Sequence, residues 1–281
     1  MTMAGVLVTV DVDTVTPMID DVPREHAGRH VDELEQRLFG LRVGVPRVLA
    51  ALADRGLLAT FFVPGIVAER SPQTVARIVD AGHEVGLHGW RHTSPRMLEV
   101  DTLRADLDRS RAALAAAGAS DVVGYRAPEW HMSEDLLDVL VTSGMRYDSS
   151  LGGFESPYRL ACRGGPEPLV EVPVSWALDD APHLLCTSRS YARPADATQL
   201  GERWVREVTS TVALGGVAVV TVHPWIIGRG PAFPALTTVL DHLAAPDAPW
   251  SGTVTELLDR TDLHATPVVD PLDALNWWEE Q

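Results

Sequence analysis

The segment Gly82-His83-Glu84-Val85-Gly86-Leu87-His88-Gly89-Trp90-Arg91-His92 holds three of the ten histidines of the chain. Its apolar centre, residues 84–87, predicts a short strand, and His88 stands at the end of that strand. His88 and His92 are four residues apart, and two residues at this spacing on a helical turn share one face. The spacing therefore predicts two ligands of a divalent metal, with a surface or N-cap pair as the alternative.

Composition narrows the classes of function. The chain has 281 residues, of which 46% are hydrophobic, enough for a substantial core. The formal net charge is -16, which argues against nucleic-acid and anionic-membrane partners because phosphate binding needs a basic surface. All 23 basic residues are arginine, which excludes Schiff-base chemistry, a P-loop lysine and a serine–lysine dyad. A small-molecule substrate remains the natural partner.

Two features predict a cytoplasmic protein. Residues 1–11 lack a basic region and reach an acidic residue at Asp11, unlike a signal peptide. No apolar run approaches the roughly 20 residues that span a bilayer. Cys162 and Cys186 are too few for a disulfide framework and predict free thiols, although a single bridge between them stays open.

Strand-like and helix-like segments alternate along most of the chain. Strands are predicted at 5–10, 59–63, 84–87, 121–125, 145–148, 169–174 and 216–222, and helices at 45–55, 71–81, 102–117, 133–143, 194–213 and 233–244. A weak helix signal at 31–38 lies within a long polar segment, 15–41, and residues 253–259 fit either element. Since no linker or repeat interrupts this order, we predict one α/β domain over residues 1–281 with a mostly parallel sheet.

Polar residues follow the predicted strands at Asp11, Asp13, His88, Arg126, Asp148 and His223. In α/β barrels the C-terminal ends of the strands carry the chemistry, so we expect these side chains to meet at one mouth. Asp13, His88 and His92 would then form a two-histidine, one-carboxylate metal site with positions open for water and substrate. A metal there would acidify its water and polarise a carbonyl group.

Acid–base roles follow for the neighbouring residues. Asp11 would serve as general base, kept ionised and oriented by Arg126 through a charge-assisted pair. His223, from a distant strand, would be the general acid for a leaving nitrogen. The structural alternatives are an ion pair for Arg126, a simple strand end for His223 and core packing for aromatic residues. We expect the substrate pocket to be walled by Trp130, Trp176 and Trp225.

Four motifs in this order resemble those of the polysaccharide deacetylase family, also called carbohydrate esterase family 4 or the NodB-homology group. They are Asp11-Val12-Asp13, His88-Gly-Trp-Arg-His92, Arg126-Ala-Pro-Glu-Trp130 and Val222-His223-Pro224. The resemblance runs from residue 6 to about 258. It implies a distorted (β/α) barrel with about seven parallel strands and the same residue roles. It also implies hydrolysis of a non-peptide C–N bond, typically in an N-acetylated sugar.

The chain further resembles an intracellular branch of this family. Its first motif is Asp-x-Asp, and residues 39–47, 175–180 and 223–229 look like those of cyclic-imide hydrolases, allantoinase-like enzymes and bacterial proteins labelled peptidoglycan deacetylases. This resemblance implies a small cyclic imide or ureide as substrate and a homotetramer. Allantoinase-like members are described as metal-free and lacking the aspartate ligand. Because Asp13 is present here, we expect a divalent metal, zinc first, with Co, Ni, Mn or Fe open.

Three other functions stay open at this level. A metal-independent allantoinase-like hydrolase would make no use of the predicted ligands. A non-haem iron oxygenase uses the same two-histidine, one-carboxylate set, although Asp11, Arg126 and His223 match a hydrolase better. A binding protein that keeps the barrel without turnover would not need every predicted catalytic group.

Overall fold

The computed structural model describes residues 3–19, 21–163, 165, 167–187 and 193–278, with side chains described as far as residue 275. Met1 and Thr2 of the predicted N-terminal segment lie outside the described residues. The predicted segment 15–41 contains one undescribed residue, at position 20.

The described residues contain ten strands: β1 (Gly5–Asp11), β2 (Thr60–Val63), β3 (Glu84–Leu87), β4 (Gly124–Tyr125), β5 (Tyr147–Asp148), β6 (Tyr158–Leu160), β7 (Leu169–Glu171), β8 (Val217–Val222), β9 (Ser251–Gly252) and β10 (Val268–Val269). They form one sheet in the order β10-β6-β7-β5-β4-β3-β2-β1-β8, with β9 beside β1. From β8 through β1 to β5 and β7 every pairing is parallel. This run of parallel strands confirms the predicted α/β barrel-like fold.

The barrel is distorted because no strand closes it between β7 and β8 in the described ranges. After β7 the chain crosses this gap, and Asp179 forms a parallel bridge with Thr221 of β8. At the opposite end, the amide of Val217 donates to the carbonyl of Glu155 at 2.7 Å. The antiparallel strand β6 extends the β7 side, and β10 pairs with β6. The sheet is therefore curled and closed by an irregular crossing.

Helices cover the outside of the sheet, and within the described ranges each is too short or too polar to span a bilayer. The predicted helices agree with the structure to within two residues, except for the one predicted from 194. That helix begins at Ala197 because the Asp196 carboxylate caps it, accepting from the amide of Gln199 at 2.9 Å. The α-helices are α1 (Val31–Phe39), α2 (Val45–Ala53), α3 (Gly65–Arg70), α4 (Pro72–Asp80), α5 (Val100–Ala116), α6 (Glu134–Thr142), α7 (Ala181–Leu184), α8 (Ala197–Ala213), α9 (Pro224–Ile227), α10 (Phe233–Leu243) and α11 (Val254–Arg260).

Several elements differ from the sequence-based expectation. The helix α3 was not predicted. The segment predicted at 253–259 is helical: it forms α11, which follows a capping box between Thr253 and Glu256. The strands predicted at 121–125, 145–148 and 169–174 are shorter than expected. After β5 the amide of Ser150 donates to the Glu171 carboxylate at 2.9 Å. A side chain therefore takes the place of a main-chain acceptor on the neighbouring strand, and the regular pairing ends there. Cys162 and Cys186 are free thiols, as predicted.

The alternation of side chains along β1 separates the core from the site. Val6, Val8 and Val10 pack toward the helices in the main hydrophobic cluster. Leu7 belongs to the second cluster, and Thr9 and Asp11 share its face of the strand. Every residue of β1 is buried, as expected for a central parallel strand covered on both faces. The inward face thus changes from apolar to polar toward the C-terminal end.

A close contact between main chains fixes one wall of this end. A π-helical turn, Gly40–Gly44, joins α1 to α2 and packs against α9. A Cβ atom on Gly44 would lie 2.1 Å from the carbonyl oxygen of Pro224, and one on Gly228 would lie 2.6 Å from Cα of Gly44. Arg47 Nη1 donates to the carbonyl of Gly228 at 2.5 Å. The motifs at 39–47 and 223–229 therefore pack against each other, and we call this contact the glycine interlock.

Replacing Gly44 with alanine should test the glycine interlock. The new methyl group must displace main-chain atoms of α9, so Gly44→Ala is expected to lower the free energy of unfolding by about 1–3 kcal/mol. Urea denaturation would measure this change. The matched control is Gly230→Ala, since a Cβ atom there meets nothing within 4 Å. Equal stability of the two variants would contradict the contact.

Candidate active site

The three predicted metal ligands converge beyond the ends of β1 and β3. Asp13 Oδ1 lies 3.3 Å from His88 Nε2 and 3.6 Å from His92 Nε2. One ligand atom from each residue lies within 4.8 Å of the other two. These three atoms are close enough together for one metal ion to bind all of them in place of their contacts with one another.

The convergence of the two histidines does not come from a helical turn, and that prediction was wrong. Residues 88–92 form a bend in which Gly89 has φ +66° and His92 has φ +64°. The carbonyls of Gly89 and Trp90 accept hydrogen bonds from the first amides of α3, at 2.9 and 3.0 Å. These carbonyls are engaged with another element, so the segment cannot continue as a helix. The imidazole rings meet edge to face, with centroids 4.9 Å apart.

The donor atoms have the chemistry that a divalent cation requires. His88 Nδ1 donates to the carbonyl of Arg126 at 2.8 Å, which leaves Nε2 as the atom that faces Asp13 and could bind a metal. Asp13 Oδ1 and His92 Nδ1 are buried without a hydrogen-bond partner among the described residues. Burial, only partly offset by Asp13, lowers the pKa of His92 to about 4, so this imidazole is neutral near pH 7. A carboxylate and imidazole nitrogens that face one another fit a metal ion, which takes the place of a proton on the imidazoles.

The histidines around Asp13 favour the ionised form of its carboxyl group. Burial alone would raise the pKa of Asp13, but His92, His223 and His88 together lower it well below its usual range. Burial likewise opposes the charged form of His88, yet the neighbouring Asp13 and Asp11 raise its pKa. The cluster therefore holds positive charge beside Asp13, which is the role a bound cation would take over.

Asp11 and Arg126 form the predicted pair. Arg126 Nη1 donates to Asp11 Oδ1 at 2.8 Å, and Asp11 Oδ2 lies 4.0 Å from His88 Nε2. The guanidinium is fully buried and also donates to Thr9 Oγ1 and to the carbonyl of Ser149, both at 2.8 Å. One oxygen of Asp11 is thus held by Arg126, and the other faces the metal ligands.

The prediction from sequence placed His223 here but assigned no role to Asp179 or Asp180. His223 Nδ1 donates to Asp180 Oδ1 at 2.6 Å, and the Nε2 atom lies 3.5 Å from Asp13 Oδ2. Burial would lower the pKa of His223, but Asp180 and Asp13 raise it well above its usual range. Burial raises the pKa of Asp179 to about 7. The motif at 175–180 was noted in the sequence, yet only the fold shows that it meets β8.

The predicted tryptophans line a cavity of about 220 Å³ together with the acidic residues and histidines of the site. Trp130 and Trp176 stack with ring centroids 4.2 Å apart, and Trp176 is 57% exposed at the rim. Trp225 forms another part of the wall, with the Arg37 guanidinium 4.5 Å from its ring centroid. Of the nine predicted site residues, Arg126 alone does not line this cavity, because it lies behind Asp11.

Backbone strain is concentrated at the same place. In the described ranges, the non-glycine residues with positive φ are Thr14, His92, Glu129 and Trp130, at 51°, 64°, 57° and 56°. All four are in or beside the predicted metal and arginine motifs. Each such residue costs on the order of 1–3 kcal/mol and persists where the surrounding structure demands it. The strain therefore supports a functional site here.

Asp148 was expected at the mouth, but it is buried beside Glu171 on the face of the sheet that carries Tyr125. The two residues are in register on β5 and β7, and one carboxyl oxygen of each is buried with no hydrogen-bond donor from another described residue. Both are fully buried, and burial raises the pKa of Asp148 to about 6 and that of Glu171 well above its usual range. Two adjacent buried carboxyl groups share a proton rather than both ionising. We infer that the proton resides on Glu171 at neutral pH.

Comparison with known proteins agrees with this geometry. Residues 9–147 match the family model for polysaccharide deacetylases. A solved structure from Mycobacterium smegmatis, provisionally named a polysaccharide deacetylase, is 32% identical, covers 93% of this chain and 91% of its own, and superposes with a TM-score of 0.86. The chain belongs to the polysaccharide deacetylase family. The prediction of a hydrolase acting on C–N bonds other than peptide bonds is confirmed at this level.

Two further proteins similar to this chain show how names vary within the fold. The "Peptidoglycan deacetylase" of Helicobacter pylori is 27% identical over 279 residues, covering 89% of this chain and 93% of that protein. The crystal structure of Puue allantoinase superposes with a TM-score of 0.75 at 15% identity, covering 90% of this chain and 88% of its own. This second similarity concerns the fold alone.

The pair Asp148–Glu171 should make stability depend on pH. In the unfolded chain both groups lose their protons near the ordinary pKa values of aspartate and glutamate, 3.8 and 4.5. The folded protein keeps a proton above that range, so unfolding releases it and the free energy of unfolding falls as pH rises. The slope is at most about 1.4 kcal/mol per proton and pH unit.

Glu171→Gln removes this proton and keeps a donor to Asp148. The difference in the free energy of unfolding, variant minus wild type, is therefore expected to increase between pH 5 and 8. The variant thus becomes more stable relative to the wild type as pH rises. Urea titrations at several pH values would measure it. The exposed Glu202→Gln serves as control and should show a flat difference. A flat difference for Glu171→Gln as well would mean that no proton is retained there.

Proposed function

We propose that this deacetylase-family protein is a metal-dependent hydrolase that cleaves the C–N bond of a small amide or imide. The observation that carries the proposal is the placement of two polar pairs around three ligand atoms. Asp11–Arg126 lies beside Asp13 on one side, and His223–Asp180 lies beside it on the other. A general base and a general acid thus flank one possible metal position.

The ligands in this proposal are Asp13, His88 and His92. A bound divalent metal, zinc first and Co, Ni, Mn or Fe as alternatives, supplies Lewis-acid polarisation and an acidified water. Asp11 takes the proton of the attacking water on Oδ2, because Oδ1 is bonded to Arg126.

The leaving nitrogen needs a proton, which His223 is placed to deliver. Its Nε2 atom faces Asp13 and the cavity, while Asp180 holds the Nδ1–H and fixes the ring orientation. The pKa of His223 lies above its usual range, so the imidazole carries the proton before the bond breaks. Base and acid are therefore separate residues, each held by its own hydrogen-bond partner.

The size and walls of the cavity favour a small planar substrate. A cavity of about 220 Å³ with stacked tryptophans suits a five- or six-membered imide or ureide ring. The helix α1 and Trp225 cover one side of it. A single domain over residues 1–281, a cytoplasmic location and a homotetramer belong to the same proposal.

An N-acetylated glycan is the second candidate substrate, and one observation favours it. A groove of about 680 Å³ adjoins the cavity and shares His92 and Glu129 with it. It is lined further by Trp90, Arg91 and Met97, so a longer chain can lie along it with one sugar at the ligands. The name of the Helicobacter pylori relative points to the same substrate class.

Metal analysis together with a substrate panel tests the proposal directly. We expect the purified protein to contain one divalent metal and to hydrolyse succinimide or hydantoin, with activity lost on chelation and restored by metal. Allantoin and N-acetylglucosamine oligomers complete the panel. Cleavage of the oligomers alone would select the glycan. Activity that is indifferent to chelation would overturn the metal site, and iron-dependent oxygen consumption would indicate an oxygenase.

Two substitutions separate binding of the metal from catalysis. Asp11→Asn should retain the metal and lower kcat by about 10²–10⁴-fold, because the base is lost. His92→Ala should lose most of the metal as well as the activity. Metal content by mass spectrometry and single-substrate kinetics would measure both effects. The control His264→Ala, outside the site, should change neither quantity. An Asp11→Asn variant with wild-type kcat would reject the assigned base.

A further inference from the structure

We propose that Arg37 binds a carboxylate group of the substrate, so that the natural substrates are small amides or imides that carry an acid. The inference rests on the proposed function for the reacting end of the cavity. It adds a second anchor in the wall of the same cavity. Nothing in the four family motifs includes this residue.

Arg37 is held in the cavity wall by a rigid part of the fold. It lies in the last turns of α1, just before the π-helical turn of the glycine interlock. Its side chain is 13% exposed and lines the same cavity as Asp13 and His223. The guanidinium lies over the ring of Trp225, with Cζ 4.5 Å from the centroid. Main-chain packing therefore presents a cation to the bound substrate.

The charge of Arg37 is only loosely compensated. Guanidinium remains protonated in proteins and offers five N–H donors. Its partner Glu33 accepts from Nε and Nη2 at 3.4 and 3.3 Å, which are long for a charged pair. Apart from Glu33 and the face of Trp225, the described residues provide no partner for this guanidinium. Donors thus remain for a ligand.

The carboxylates that line the cavity are engaged elsewhere. Asp11 pairs with Arg126, Asp13 with the histidines, and Asp179 lies 3.7 Å from His223 Nδ1. Glu129, at the exposed rim, lies 3.1 Å from His131 Nδ1. A substrate without negative charge would cover Arg37 and remove water from it without replacing those hydrogen bonds. A substrate carboxylate satisfies the planar guanidinium directly.

Binding of simple acids tests this assignment without turnover. Titration calorimetry on the metal-loaded protein would compare succinate, which has a second carboxylate to offer Arg37, with acetate, which has only one. We expect Arg37→Ala to weaken succinate binding at least tenfold and to leave acetate unchanged. Arg37→Lys should fall between. The control Arg42→Ala removes an exposed arginine that pairs with Glu35 and should not affect either acid.

Kinetics with matched substrates adds a second readout. The wild type is expected to prefer N-acetylglycine over N-acetylglycinamide in kcat/KM by at least tenfold. Arg37→Ala should abolish this preference through KM, with kcat retained. A positioning role through Trp225 would instead lower kcat for both substrates equally.

The outcomes distinguish the two proposals. Equal succinate affinity in the wild type and Arg37→Ala, with both variants folded by thermal melting, would overturn the carboxylate site and leave the hydrolase untouched. Loss of succinate binding in Arg37→Ala, with no hydrolysis of any amide by the wild type, would support the carboxylate site and overturn the proposed function.

Discussion

The buried guanidinium of Arg126 is the interaction on which the site depends. A cation removed from water costs several kcal/mol unless its donors are satisfied. Here the partners are Thr9 and Asp11 on β1, Thr221 on β8 and Ser149 just after β5. The interaction that orients Asp11 therefore also joins distant strands of the curled sheet. Loss of the arginine would leave the Asp11 charge buried and uncompensated, so fold and site would weaken together.

The site gathers opposite charges in a region of little water. Asp11, Asp13 and Asp180 each face a cationic or imidazole partner, and among the described residues no carboxylate stands alone against the cavity. The histidine partners lower the pKa of Asp13, whereas burial raises the pKa of Asp180 despite its imidazole partner. Asp148 and Glu171 show a third case, in which two acids lie together and burial raises the pKa of both. The neighbours of each acid, together with its burial, therefore set its pKa.

Sequence reasoning predicted through strand ends which side chains come together at this cavity, because side chains that follow parallel strands meet at one edge. It failed where geometry depends on a distant partner. His88 and His92 converge through a bend stabilised by α3, a helix that the sequence did not predict. Asp180 acquires its role through a contact with His223, 43 positions further along the chain. Arg37 lies in a helix whose weak periodicity gave no sign that a π-helical turn would place it over the site.

The glycine interlock also bears on how a molecule enters the cavity. The atoms of Gly44, Pro224 and Gly228 that touch are main-chain atoms, so no side-chain rotation can loosen that wall. The opposite wall ends in Trp176, which is 57% exposed and held by stacking on Trp130. A single rotamer change can move such a ring. A change in the size of residue 176 would therefore alter this rim of the cavity while leaving the main-chain contact of the opposite wall in place.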